Sequence, residues 1–154
     1  MGLRTKIVLN IQQSMKDSAK ERLPALRGLL SEIVVEEKRT SGSKILTDQE
    51  VIQVIVREKK KYEEAAMFAE QAGRPELQRD ALKNIAILLE YLPQQLSDDE
   101  FERILELAIM KTNARSIKDF GSVMKIVSPQ IKGQYDGKKA SDRVKAVLTF
   151  WDKE

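Results

Sequence analysis

The chain of 154 residues and 17.6 kDa contains neither cysteine nor histidine. That excludes disulfides, thiol or imidazole catalysis, and haem or zinc centres built on those side chains. Hydrophobic residues make up 42%, charged residues 33%, and glycine and proline are scarce, which suits a helix-rich globular chain and not a disordered one.

The chain opens Met1-Gly2-Leu3-Arg4-Thr5-Lys6 with no apolar run behind it, so no leader segment is read there. Lys6 stands where N-myristoylation wants Ser or Thr. The longest apolar run covers residues 85–89, too short to cross a bilayer. A cytoplasmic protein with no membrane contact is expected.

Apolar spacing is helical almost throughout. Leu3, Ile7, Ile11 and Met15 form a first stripe, and Leu23, Leu26, Leu30, Ile33 and Val34 a second. Pro24 fits only a first turn, so the second helix is predicted to begin near Glu21 or Arg22. Residues 39–44 include Thr-Ser-Gly-Ser and read as a loop. Thr47-Asp48-Gln49-Glu50 is a capping box, with Leu46 placed to staple onto Val51. The third helix should bury Val51, Ile55, Tyr62, Ala65, Ala66 and Ala69 and stop at Gly73. Pro75 starts a fourth, with Leu77, Ala81, Ile85, Leu88 and Leu92 in phase, and Pro93 closes it. Ser97-Asp98-Asp99-Glu100 is a second capping box, with Leu96 facing Phe101; Phe101, Ile104, Leu105 and Ala108 make its inner stripe. Ser116 can cap a helix bearing Ile117, Phe120, Met124 and Val127 that ends at Pro129. The last helix, from about Ser141, should bury Val144, Val147, Leu148 and Trp151. The expectation is an all-α fold. A four-helix N-terminal part of two hairpins, residues 1–92, precedes a small three-helix C-terminal domain, residues 97–154.

Charge is segregated near the end of the chain. Residues 111–145 hold nine basic and three acidic residues, a balance of +6, whereas residues 97–106 balance at −4. Asp98, Asp99, Glu100 and Glu102 could suggest a magnesium site. Carboxylates at the positive end of a helix dipole explain them better, and no metal or cofactor is expected. Arg57, Lys59, Lys60 and Lys61 form a basic run, with Glu63 and Glu64 one turn after Lys59 and Lys60, and read as a solvated helix face. Gly133 and Gly137 lie too close together for a phosphate-binding Walker loop. The +6 stretch is the best functional lead, because clustered cations attract polyanions. The nucleic-acid-binding candidates are Lys125, Lys132, Lys138, Lys139, Arg143 and Lys145, with Tyr135 available to stack on a base. The chain has no nucleophile elbow, and no catalytic residues are assigned.

Several segments resemble the YqeY family of small bacterial proteins. They are Lys20-Glu21-Arg22-Leu23 with Leu26-Arg27 and Leu29-Leu30-Ser31, then Leu46-Thr47-Asp48-Gln49-Glu50-Val51-Ile52, and Ala72-Gly73-Arg74. The most specific is Tyr91-Leu92-Pro93-Gln94-Gln95-Leu96-Ser97. Asp119-Phe120-Gly121-Ser122-Val123-Met124 and Lys132-Gly133-Gln134-Tyr135-Asp136-Gly137-Lys138 follow. Through Gly121-x-Val123-Met124-Lys125 and Lys132-Gly133, the last three helices are similar to the tail of the B subunit of the glutamine-dependent tRNA amidotransferase. The resemblance implies a two-part helical fold, a cytoplasmic setting and tRNA or another structured RNA as partner. It also carries a family label of carbon–nitrogen ligase with glutamine as amido donor, whose chemistry belongs to parts this chain lacks. A protein-interaction adaptor, or an accessory component of amide transfer, is the alternative. The chain departs from the family pattern at Pro24, at Asn113 in place of a glycine, at Tyr135 in place of a small residue, and at Lys139 and Arg143 in place of apolar ones.

Overall fold

The structure, a computed structural model, describes residues 2–39, 42 and 44–152. Among them are seven α-helices and no strand: α1 (Leu3–Lys16), α2 (Leu23–Arg39), α3 (Asp48–Gln71), α4 (Pro75–Leu89), α5 (Asp98–Thr112), α6 (Phe120–Ile131) and α7 (Gly137–Asp152). A 3₁₀ turn, Ile117–Asp119, leads into α6. The chain divides into two compact units, Met1–Leu92 and Pro93–Glu154. Thr40, Ser41 and Ser43 of the expected loop lie outside the described residues.

Helix ends follow local chemistry. The capping boxes at Thr47 and Ser97 are both formed, with Glu50 and Glu100 as the reciprocal partners. α1, α3 and α5 end in a left-handed residue: Ser18 (φ 55°), Gly73 (φ 67°) and Asn113 (φ 54°). After each, an N–H reaches back to a last-turn carbonyl: Ala19 to Ser14, Arg74 to Ala69, Ala114 to Ile109. Asn is the non-glycine residue that tolerates this conformation best, which explains Asn113 where the family pattern has glycine.

The first unit buries Ile7, Ala25, Leu26, Leu29, Ile33, Val51, Val54, Ile55 and Leu88 around a shared core. Met15, expected inside, is 55% exposed, and Ser14 is buried instead. Each i to i+4 step overshoots a full turn by about 40°, so a stripe starting at Leu3 drifts off the core by its fourth member. α2 begins at Leu23, with Pro24 in its first turn. The far ends of α3 and α4 pack through Ala66, Ala69 and Ala81 alone, outside that core. Ala65 and Leu77, also expected inside, are exposed there.

Glu37 is the buried charge of this unit, 8% exposed. Its carboxylate accepts Arg4 Nε at 2.7 Å, Arg4 Nη2 at 3.1 Å and Leu46 N at 3.2 Å. One side chain of α2 thereby fixes α1 and the approach to α3. The Arg4 hydrogen bond holds the Glu37 carboxyl below the ordinary glutamate range, against the opposing effect of burial, and the Leu46 N–H helps. A carboxyl that releases its proton more readily when folded stabilises the fold above its unfolded pKa and loses that contribution as pH falls. Glu37→Gln is expected to cost about 2 kcal/mol, the worth of a charged hydrogen bond. Urea unfolding followed by circular dichroism should show the loss at pH 7, with wild type and variant converging as pH falls below about 4.3.

Candidate nucleic-acid interface

The second unit wraps α5, α6 and α7 around Phe101, Leu105, Ala108, Val123, Val127, Ile131, Ala140, Val144 and Leu148. Before α5, Leu96 N donates to Gln134 O at 2.8 Å and Gln95 Nε2 to Gly133 O at 2.8 Å. The entry to α5 is thereby tied to the loop between α6 and α7.

α7 begins at Gly137, four residues before the expected start. Asp136 is the reason: its Oδ1 accepts Lys138 N at 2.9 Å and Lys139 N at 3.4 Å, an N-cap that satisfies the first free donors of the helix. The earlier start puts Lys139 and Arg143 one turn apart on α7. Both reach α5, where Asp98 and Glu102 are also one turn apart. Lys139 Nζ lies 2.7 Å from Asp98 Oδ1, and Arg143 Nε lies 2.6 Å from Glu102 Oε1. Two of the six candidate nucleic-acid contacts are therefore ion-paired within the unit.

The electrostatics follow. Asp98 is held below the usual carboxylate range, first by the Lys139 hydrogen bond and then by that of Tyr135. The Asp98 contact raises Lys139, and Glu102 raises Arg143. Tyr135 Oη donates to Asp98 Oδ1 at 2.6 Å, and the Tyr135 ring stacks on Phe101 at 4.5 Å and 7°. Burial, followed by the Asp98 hydrogen bond, pushes the phenol up. Lys139 Nζ stands 5.4 Å from the same ring centre. The ring expected to stack on a base is thus stacked on Phe101.

Three of the acidic residues in 98–102, Asp98, Glu100 and Glu102, likewise have partners. Asp98 and Glu102 hold α7, and Glu100 completes the Ser97 capping box. Among the described residues no group of three or more acidic side chains is placed to hold a metal. In the basic run of α3, Arg57 pairs with Glu36 at 3.2 Å, Lys59 with Glu63 at 3.4 Å and Lys61 with Glu58 at 2.9 Å.

The other four candidates are placed differently. Lys125, Lys132, Lys138 and Lys145 are exposed, and none is in a salt bridge among the described residues. On α6, Ile126 and Gln130 line a groove with Leu107 and Met110 of α5. Lys125 projects away from that side, as the 100° step per residue requires. On α7, Lys138 and Lys145 are two turns apart and share a side. That side faces α6, since Lys145 Nζ lies 5.3 Å from the Phe120 ring. α6 carries no carboxylate. Asp119, just before it, accepts Arg115 N at 2.8 Å and Ser116 N at 3.2 Å. Asp142 and Asp152 are the exposed carboxylates of α7, and Asp152 Oδ2 accepts Ile117 N at 2.9 Å. Lys132 stands at the end of α6.

Two expectations for this unit need correction. Pro129 does not end α6, which runs on to Ile131. The lost N–H falls in the last turn on an exposed position, where Lys125 O can turn to water. Trp151 is 37% exposed and not core. It lines a shallow groove between α5 and α7 with Ile109, Met110 and Val147. If the ring of Tyr135 holds α5 and α7 together, Tyr135→Ala should cost about 2 kcal/mol in urea unfolding, roughly half the figure for a fully buried aromatic.

No helix among the described residues is long and apolar enough to cross a membrane. No curated protein matches the chain. Residues 4–148 match the family described as Yqey-like protein. That match spans nearly the whole sequence and takes in both units, so the chain belongs to the YqeY family.

Proposed function

We propose that this is a non-catalytic RNA-associated protein, made of two helical domains, whose C-terminal domain holds the phosphate backbone of a structured RNA such as tRNA. One observation carries the reading: the six candidate cations of the C-terminal unit sort into two sets. Lys139 and Arg143 are bound to α5 by carboxylates, whereas Lys125, Lys132, Lys138 and Lys145 are exposed and in no salt bridge among the described residues. A phosphate chain would meet Lys125, Lys138 and Lys145 on one side of α6 and α7, with Lys132 at the end. Contacts of this kind position a protein on RNA without reading its bases. The shifted carboxylates support a structural role over catalysis, because Glu37, Glu90, Asp98 and Asp119 are all held by cations or backbone N–H groups.

Exposed apolar side chains favour a second reading, a protein-interaction adaptor. Met67, Phe68, Leu77 and Leu82 are 46–61% exposed on the outer halves of α3 and α4. A stoichiometric protein partner that survives nuclease treatment, with no RNA bound, would select it.

The RNA reading is tested by titrating labelled bulk tRNA with wild type and with Lys125→Gln/Lys138→Gln/Lys145→Gln. Each lost phosphate contact lowers the slope of log affinity against log salt by about 1, so the triple variant should bind more weakly with a slope shallower by about 3. Unchanged affinity and slope would remove these residues from the interface.

A further inference from the structure

Gly121 is the second residue of α6 and is exposed. No heavy atom lies within 4 Å of the point where a Cβ would stand, and its backbone is not left-handed. Nothing in the fold therefore requires glycine, and a helix prefers alanine. Most other glycines do have a reason. Gly42, Gly73 and Gly133 have positive φ. A Cβ on Gly2 would crowd Asp48 Oδ1 at 3.3 Å, whereas one on Gly28 would meet Tyr62 Oη at an ordinary contact distance of 3.9 Å, so space does not require glycine there either. Gly137, the residue before Lys138, is as bare as Gly121.

Cations stand near Gly121, alongside Asp119 and Asp152, whose carboxylates accept the backbone N–H groups of Arg115, Ser116 and Ile117. Lys125 follows one turn later on the same strip of α6, and Lys118 precedes it by three residues. Its neighbour Phe120 carries the ammonium of Lys145 5.3 Å from its ring. A bare patch of helix backbone among three ammonium groups lets a bulky anion come closer than any side chain would allow. We propose that Gly121 is the point of closest approach of the RNA phosphate chain, and that its missing side chain is a requirement of binding and not of folding. The inference rests on the RNA reading above and assigns one contact point within it.

The test compares wild type with Gly121→Ala and Gly121→Gln in the full chain, using labelled bulk tRNA at several salt concentrations, with urea unfolding alongside. Neither change removes a charge. Affinity should fall about threefold for Gly121→Ala and about tenfold for Gly121→Gln, on the scale of one lost hydrogen-bonded contact, while the salt slope stays that of wild type. Gly121→Ala should be at least as stable as wild type. Wild-type affinity in both variants, beside a weakened triple lysine variant, would overturn this inference and leave the RNA reading standing. A clear loss of stability in Gly121→Ala would overturn it too, by giving the glycine a role in the fold. Failure of wild type itself to bind tRNA at low salt would remove the RNA reading and this contact with it.

Discussion

The C-terminal unit depends on a two-rung ladder of charge between α5 and α7. Asp98 meets Lys139 and Glu102 meets Arg143, each pair one helical turn from the other. These groups are half-exposed, and such pairs contribute little energy singly. What they do is fix rotation. With Ala140, Val144 and Leu148 buried, α7 can still roll by some tens of degrees against its neighbours. The ladder sets that angle, and the Tyr135 ring on Phe101 holds the start of the helix in place. Once Lys139 and Arg143 face α5, the 3.6-residue repeat puts Lys138 and Lys145 toward α6. Five cations of α7 and the loop before it, scattered around the unit, would make a diffuse field; sorted this way, two are paired with α5 and Lys138 and Lys145 are left on the α6 side.

Much of the fold was legible because local signals agreed with the apolar pattern. Both capping boxes, the Gly73 stop and the inner stripe of α5 follow from residue types whose chemistry acts within one turn. The misses came where a tertiary partner or a weaker local signal decided. The apolar spacing starts the last helix at about Ser141, but Asp136 caps α7 and lengthens it by a turn. Pro129 read as a stop, but a helix tolerates a lost hydrogen bond on its wet side. Ser18 takes a left-handed conformation that no residue type at that position announces.

The candidate site was legible in composition and not in pairing. The −4 and +6 segments stand next to each other in sequence, and their opposite charge was a signal that some of the cations have partners. Sequence alone could not say which, since the choice among Lys138, Lys139, Arg143 and Lys145 depends on the rotation of α7. Tyr135 misled for a similar reason. An aromatic residue in a basic loop can stack on a base or on its own fold, and Phe101 lies within reach only after α5 and α7 have packed. In the first unit the same logic applies to Glu37, a charged residue on a helix that looks solvated until Arg4 and the Leu46 N–H close around it.

The central claim is that RNA lies against the α6 and α7 side of the C-terminal unit. Lysine acetylation footprinting of the full chain, with and without bulk tRNA and resolved by mass spectrometry, tests it most directly. Lys125, Lys138 and Lys145 should become protected when tRNA is added, while Lys59, Lys60 and Lys61 on α3 react as before. Protection confined to α3, or no protection of the three C-terminal lysines under conditions where tRNA is bound, would contradict the account.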